Sequence, residues 1–355
     1  MTALLLVDSY RRLIASTGPI SLTQFMGESN ARYYASRDPL GSAGDFVTAP
    51  EISQMFGELV GLWLADIWIR AERPEPVCYV ELGPGRGTLA RDALRVMERQ
   101  GLQPAVHLVE GSPQLRALQA GAVPQAQFHE DLADLPTDRP LLLVANEFLD
   151  ALPVRQLVRT EEGWRERMVG LDEADDLVFV AGQAPMDEAV PGAQREAAPG
   201  TILESCPAAA GVVAEVAGRL ARQGGAALFI DYGHIAPRTG STLQAVRAHR
   251  KLDPFAAPGD ADLTAHVDFA AMAQIARSHG ARVLGRTTQG HWLGALGIDA
   301  RAEALAGTAP QRRAELQAAR DRLVQPDQMG DLFKVLGVAG TGWPDGAGLM
   351  AAPPA

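Results

Sequence analysis

The stretch YVELGPGRGTLARDALRV, residues 79–96, decides the fold class of this chain. A short apolar run ends in Glu81, a turn carries Gly83, Gly85 and Gly87, and an amphipathic segment starts at Thr88. Strand, glycine turn and helix in that order form the first arm of a doubly wound α/β sheet. The glycines allow a tight turn and let the backbone approach a ligand closely. An isolated GxG is weak evidence, and its place between a strand and a helix is what gives it weight.

Outward from this turn, strands and helices alternate. Strands are expected over 77–82, 105–110, 125–128 and 141–145, then 226–231, 282–286 and 332–338, with helices over 88–100 and 113–120. This spacing predicts right-handed βαβ units and an α/β fold whose mostly parallel sheet has about seven strands. Residues 1–50 are expected to hold N-terminal helices over 2–15 and after Ser21, then a Gly-rich loop. Thr48-Ala49-Pro50-Glu51 fits a capping box that starts one long helix to about residue 71. Residues 51–150 form the first half of the core and 225–340 the second. Between them, 151–224 is expected to be an insertion with a β-hairpin and an acidic, Ala/Pro/Gly-rich stretch; 341–355 is expected to be a poorly ordered tail.

The bulk composition excludes several classes. A net charge of −11 and a pI near 5.2 argue against nucleic-acid and anionic-membrane binding. From Glu161 to Glu196 ten acids face three arginines, which suits a solvated face or, less simply, a dock for a basic partner. Two cysteines make no disulfide framework, and no CxxC or HExxH pattern marks a metal site. No apolar run reaches the roughly 18 residues of a membrane span, and MTALLLVDSYRRL lacks the features of a signal or transit peptide. The expected location is cytoplasmic, in a reducing compartment.

Two cofactor classes use a glycine turn of this kind. Dinucleotides favour GxGxxG, with a pyrophosphate on the helix N-terminus. Here the spacing is GxGxG, and Glu81 stands two residues before Gly83, where it would repel a pyrophosphate. S-adenosylmethionine carries an ammonium, a sulfonium and a ribose, all suited to acidic neighbours. Glu110, at the end of the second strand, is placed for the ribose hydroxyls, or else caps the helix after Ser112. Asp131, after the third strand, is placed for the adenine amino group, or is a solvated loop acid.

Two further segments carry candidate chemistry. LLLVANEFLDALP, residues 141–153, runs a buried strand into Asn146, Glu147 and Asp150, at the sheet edge where open α/β folds bind ligands. The fifth strand ends in Asp231, followed by His234. Asp150 alternatively caps a turn before Pro153, and Asp231 alternatively holds loop backbone. Asp45, on a Gly-rich loop, and Thr48, at a helix start, are candidates for contacts to the cofactor. Gln54 is placed for the methionine end of the cofactor, or on a solvated helix face, and His234 and His266 are candidate proton acceptors, or structural histidines.

GDFVTAPEISQMFGELVG, ELGPGRGTLARDALR, HLVEGSPQL, NEFLDALPVRQ, FIDYGH, TLQAVRAH, DLTAHVDF and MGDLFKVL follow one another along residues 44–336. In this order they resemble the MidA-like S-adenosylmethionine-dependent methyltransferases, the family of the mitochondrial complex I assembly arginine methyltransferase and its bacterial homologues. The resemblance implies a seven-stranded Rossmann-like methyltransferase fold and S-adenosylmethionine as cofactor. It also implies transfer to an arginine of a partner protein, a quinone-site core subunit of complex I, in the mitochondrial matrix for eukaryotic members. By the same resemblance the fourth and fifth strands adjoin the transferred methyl. That makes Asn146, Glu147, Asp150, Asp231 and His234 the catalytic candidates, beside Glu81, Gly83, Gly85, Gly87, Glu110, Asp131, Thr48 and Asp45 for the cofactor. A binding-only assembly factor, a small-molecule methyltransferase and a dinucleotide oxidoreductase remain alternatives at this point.

Overall fold

The structure is a computed structural model that describes residues 6–36, 47–247 and 250–349. The chain divides into two compact units. One comprises Leu40–Leu149, Ala210–Ala236 and Val267–Ala355; the other comprises Met1–Pro39, Asp150–Ala209 and Pro237–His266.

The larger unit is built on a mixed α/β sheet. Its strands are β1 (Cys78–Leu82), β2 (Ala105–Val109), β3 (Gln127–His129), β4 (Leu141–Asn146), β5 (Gly225–His234), β6 (Arg282–Thr288) and β7 (Phe333–Ala339). Their spatial order is β6-β7-β5-β4-β1-β2-β3, and an eighth, two-residue strand Val267–Asp268 pairs with β5. The pairs β3–β2, β2–β1, β1–β4 and β4–β5 are parallel, whereas β7 runs antiparallel to both β5 and β6. β1 and β4 are buried along their whole length, as their unbroken apolar runs require of strands covered on both faces.

Helices pack on this sheet for reasons readable in their residues. α1 (Ala49–Ile52) and α2 (Gln54–Arg70) replace the single expected helix. Ser53 adopts φ −162° and ψ 142°, breaks the helix, and its side chain accepts the Met55 N–H. A hydroxyl that caps a new helix start competes with continuing the old one. Thr48 makes no side-chain cap bond, so the expected capping box is not formed. α2 is apolar nearly all round and buries Trp63 and Trp68 in the main core. Gly57 and Gly61 lie on its face toward α3 (Thr88–Arg99). A Cβ on Gly61 would come within 2.5 Å of the Ala93 carbonyl, and one on Gly57 within 2.9 Å of Asp92 Cβ. Glu58, buried on the same helix, receives Arg95 and a two-pronged bond from Arg301.

The expected loose tail is instead packed as far as it is described. Trp63 Nε1 donates to the Ala347 carbonyl at 3.0 Å, and Leu349 lies against the main core. Arg282 holds Asp345 and the carbonyls of Trp343 and Pro344. A polar, Gly-rich composition hid these anchors, because single apolar residues dock without periodicity.

In the smaller unit, helices Leu6–Thr17 and Leu22–Ser36 pack on two sheets. The strand Gly163–Leu171 is central to a five-stranded sheet with Ile20–Ser21, Arg155–Thr160, Leu177–Pro185 and Ile202–Ser205. The acidic stretch thus contributes strands beyond the expected hairpin. Gln244–Arg247, Arg250–Leu252 and Asp262–Thr264 form a second, three-stranded sheet.

Candidate functional site

The glycine turn 83–87 leaves the C-terminal end of β1. All three glycines hold positive φ, 61°, 54° and 78°, a region that is costly for residues with a Cβ. The turn is enclosed by named neighbours. Gly83 donates its N–H to the Val109 carbonyl of β2, and a Cβ on it would lie 2.7 Å from the Phe148 ring. Helix α4 (Pro113–Ala122) presses on the other side, with Ala122 and Gln119 beside Gly87. Thr88, the first residue of α3, donates its hydroxyl to Glu51 of α1.

The segment after β4 closes this arrangement from the Phe148 side. Glu147 holds φ 51°, a left-handed conformation rare for residues other than glycine. Such a backbone is worth about 1 kcal/mol or more of strain and gathers at functional sites. Glu147 Oε1 accepts the Ala49 N–H at 2.9 Å and the Asn146 amide at 3.1 Å. The start of α1 is therefore capped from across the unit by Glu147. Asn146 is 8% exposed, and with its nitrogen given to Glu147, its Oδ1 is buried without a protein partner. The orphaned Oδ1 thus offers an acceptor toward a ligand, and an N–H group is its natural partner.

Asp231 is 1% exposed and braces the same turn. Its Oδ2 accepts the N–H groups of Phe148 and Leu149, and its Oδ1 accepts that of Tyr232. It is the loop-backbone role that the structure displays for this residue. His234, at the end of β5, places Nδ1 2.8 Å from the Ala236 carbonyl and 4.0 Å from Asp268 Oδ1. Donation to that carbonyl assigns the proton to Nδ1 and leaves Nε2 as the basic nitrogen. Asp150 belongs to the smaller unit, is 6% exposed, and its carbonyl accepts the Ala265 N–H at 3.0 Å. His266 belongs to that unit too, where its N–H reaches Thr242 Oγ1. Asp45 lies outside the described residues. Gln54 is held by Glu58 at 3.1 Å.

The cofactor-side acids divide into three settings. Glu81 is 3% exposed and turned inward, where Tyr79 donates its hydroxyl at 2.6 Å. Burial pushes its pKa up to about 7, against the Tyr79 bond and a backbone bond from Ala90. Glu110 accepts the Ser112 N–H at 2.8 Å and the Gln119 amide at 3.2 Å, and burial holds it above the usual carboxylate range despite those bonds. Asp131 is exposed and caps a short turn through the Ala133 N–H at 2.8 Å. Gln119 was not foreseen from the sequence. A glutamine on an amphipathic helix looks solvated until the helix is docked.

Acceptors therefore ring the glycine turn: Glu110 on the β2 side, Glu147 and Asn146 Oδ1 on the β4 side, and Glu51 above Thr88. A ligand rich in hydroxyl, ammonium and sulfonium character fits these acceptors, and the glycine backbone leaves room for close approach. No cluster of three or more potential metal ligands occurs among the described residues.

Comparison with known proteins agrees with this chemistry. A family model described as "Putative S-adenosyl-L-methionine-dependent methyltransferase" matches residues 59–287. The mitochondrial protein arginine methyltransferase NDUFAF7 of Xenopus tropicalis is 38% identical, covering 92% of this chain and 83% of the relative. The human protein of that name is 36% identical, covering 90% and 80%. A superfamily member from Burkholderia thailandensis, solved with S-adenosyl-homocysteine bound, superposes with a TM-score of 0.83 at 31% identity, covering 98% of this chain and 93% of that one. With these relatives and this glycine turn, the chain belongs to the S-adenosylmethionine-dependent methyltransferase family and uses that cofactor.

Proposed function

We propose that this enzyme methylates an arginine side chain of a partner protein, with Asn146 and Glu147 receiving the guanidinium. The supporting observation is the orphaned Asn146 Oδ1 beside the Glu147 carboxylate, two acceptors at the end of β4 with an N–H donor as their natural guest. The relatives' names as protein arginine methyltransferases support the substrate class.

Bound S-adenosylmethionine supplies an electrophilic methyl group on a sulfonium. The chain's own residues supply position and charge. The glycine turn would hold the cofactor, with Glu110 to accept from its ribose and Asp131 to serve its adenine edge. Guanidinium is protonated at any physiological pH, so it arrives as a poor nucleophile. Glu147 holds its charge on one side, and Asn146 Oδ1 accepts from a second N–H. The attacking nitrogen is thereby oriented, and the remaining charge is drawn away from it. His234 Nε2 takes the proton the product releases, its ring oriented by the Ala236 carbonyl 2.8 Å from Nδ1.

The reading extends to finer features. The sheet is taken as the seven-stranded methyltransferase sheet, with Val267–Asp268 as an appendage of β5. Residues 151–224 are taken as an insertion into that core, whose acidic stretch receives a basic partner. Asp150 and Asp45 are assigned to the substrate and cofactor sides. A quinone-site core subunit of complex I is the proposed partner, in the bacterial cytoplasm or, for a eukaryotic chain, the mitochondrial matrix. No described helix is long and apolar enough to cross a membrane. Incubation with methyl-labelled cofactor and candidate complex I subunits, read by mass spectrometry, tests this. Methylarginine on the subunit is expected; label found only on a small molecule overturns the substrate class.

A further inference from the structure

Gln119 has no exposed surface, and its amide nitrogen donates twice. One bond goes to the Gly85 carbonyl at 2.8 Å, and the other to Glu110 Oε2 at 3.2 Å. The second Glu110 oxygen is fixed by the Ser112 N–H at 2.8 Å. The helix that carries Gln119 is itself anchored: Ser112 Oγ caps it, and Arg116 Nε reaches back to the Glu110 carbonyl at 2.6 Å. We infer that Gln119 is a positioning residue that locks the Glu110 carboxylate to the peptide of Gly85, so that the enzyme discriminates the ribose hydroxyls of its cofactor.

The chemistry of the position leads there. A carbonyl and a carboxylate both accept, and side by side they need a donor between them. A neutral amide supplies two N–H groups without adding charge. An apolar side chain of the same size would leave two half-buried acceptors without their shared donor. A cation would satisfy them but would neutralise Glu110 and weaken it as an acceptor for hydroxyls. Gln119 also opposes the desolvation of Glu110, because a bond to a carboxylate favours its charged form. The inference rests on the reading of Glu110 as the ribose acceptor.

The test compares S-adenosylhomocysteine with its ribose-deoxygenated analogue by isothermal titration calorimetry on the full chain. The unmodified protein is expected to prefer the intact ribose by about tenfold or more, the value of a hydrogen bond to a charged group. Gln119→Met should bring that preference to about twofold, and Glu110→Gln should do the same. The double variant should lose nothing further, since both act through one contact. Gln119→Glu is the second, isosteric probe. Its preference should be lost at pH 8 and return as pH falls, when the new carboxyl can donate again.

An equal loss of affinity for both ligands in Gln119→Met would make the residue merely structural and overturn the inference. So would an unchanged preference in Gln119→Met, or an acid-insensitive Gln119→Glu. An unmodified protein that binds both ligands alike would instead remove the role of Glu110, and the inference with it.

Discussion

Glu147 Oε1 accepts the backbone N–H of Ala49 at 2.9 Å, a bond between residues 98 positions apart. The residue that follows β4 therefore also starts the helix that leads to α2. Replacing it separates two roles. Glu147→Gln keeps an acceptor for Ala49 and loses the charge. Arginine methylation should fall about a hundredfold, the value of a charge-assisted hydrogen bond near 3 kcal/mol, with S-adenosylhomocysteine affinity changed less than about threefold. Steady-state kinetics and calorimetry on the same preparation check this. Glu147→Gly should abolish transfer while melting within a few degrees of the parent. The relief of its left-handed backbone, about 1 kcal/mol, offsets the lost cap.

Asp231 takes three backbone N–H groups at the same turn. Asp231→Ala leaves those donors buried and unmatched, so a loss of about 3 kcal/mol or more is expected in denaturant unfolding. Asp231→Asn should recover part of it. The pH dependence of methylation should be the same in Asp231→Asn as in the parent, the mark of a residue that acts by holding the loop backbone.

Glu81 gives a pH signature. Its pKa rises from 4.5 to about 7 in the fold, so the folded chain binds a proton that the unfolded chain has released. Stability is therefore lost as pH climbs from about 4.5 to about 7, by up to about 3 kcal/mol. Glu81→Gln should remove that slope and melt higher than the parent above pH 7. Melting curves between pH 5 and 8, without ligand, are the measurement; parallel curves for the two proteins would refute the assignment.

Gly83 tests the turn itself. Alanine there meets the Phe148 ring at 2.7 Å and must also adopt φ 61°. Gly83→Ala should weaken S-adenosylhomocysteine at least about thirtyfold, the equivalent of roughly 2 kcal/mol of strain passed to the bound state. Pairing it with Phe148→Ala should restore part of the affinity, because the ring is one of the two obstacles.

Glu58 is buried, and burial alone would raise its pKa, yet the bonds from Arg301 and Arg95 hold it below its ordinary value. Its contribution to stability is present above about pH 4.5 and fades as pH falls through the lowered value. Glu58→Ala should cost about 3 kcal/mol at neutral pH, since two arginines lose their shared partner. A smaller penalty at pH 4 than at pH 7 is the expected mark.

Strands were the most legible part of this chain. Runs such as LLLVAN and AALFID sit on both-faces-buried strands, and apolar continuity marks them without help from distant residues. Elements that depend on one local competition were less legible. The helix expected to about residue 71 breaks at Ser53, a single hydroxyl whose choice between chain continuation and capping is not written in periodicity. The tail past residue 340 was unreadable for a related reason: Ala347 and Leu349 are held by Trp63 and the core rather than by any pattern of their own. Site residues behaved likewise. The sequence could point to Glu147 and Asp231 as acids at strand ends, but only folding shows that Asp231 spends its oxygens on three backbone amides. Gln119 carried no signal, because its importance comes from facing a carbonyl and a carboxylate at once.

The contact between Gly61 and the Ala93 backbone leaves no volume for even one carbon. Position 61 is therefore closed to substitution in a way that no catalytic position is. In a library of all single variants it would be depleted as completely as the glycine turn, for a reason of helix packing. Two rigid rods locked at zero clearance also leave the enzyme little room to drift: the helix start at Thr88 and the helix reached through Ser53 must change together or not at all.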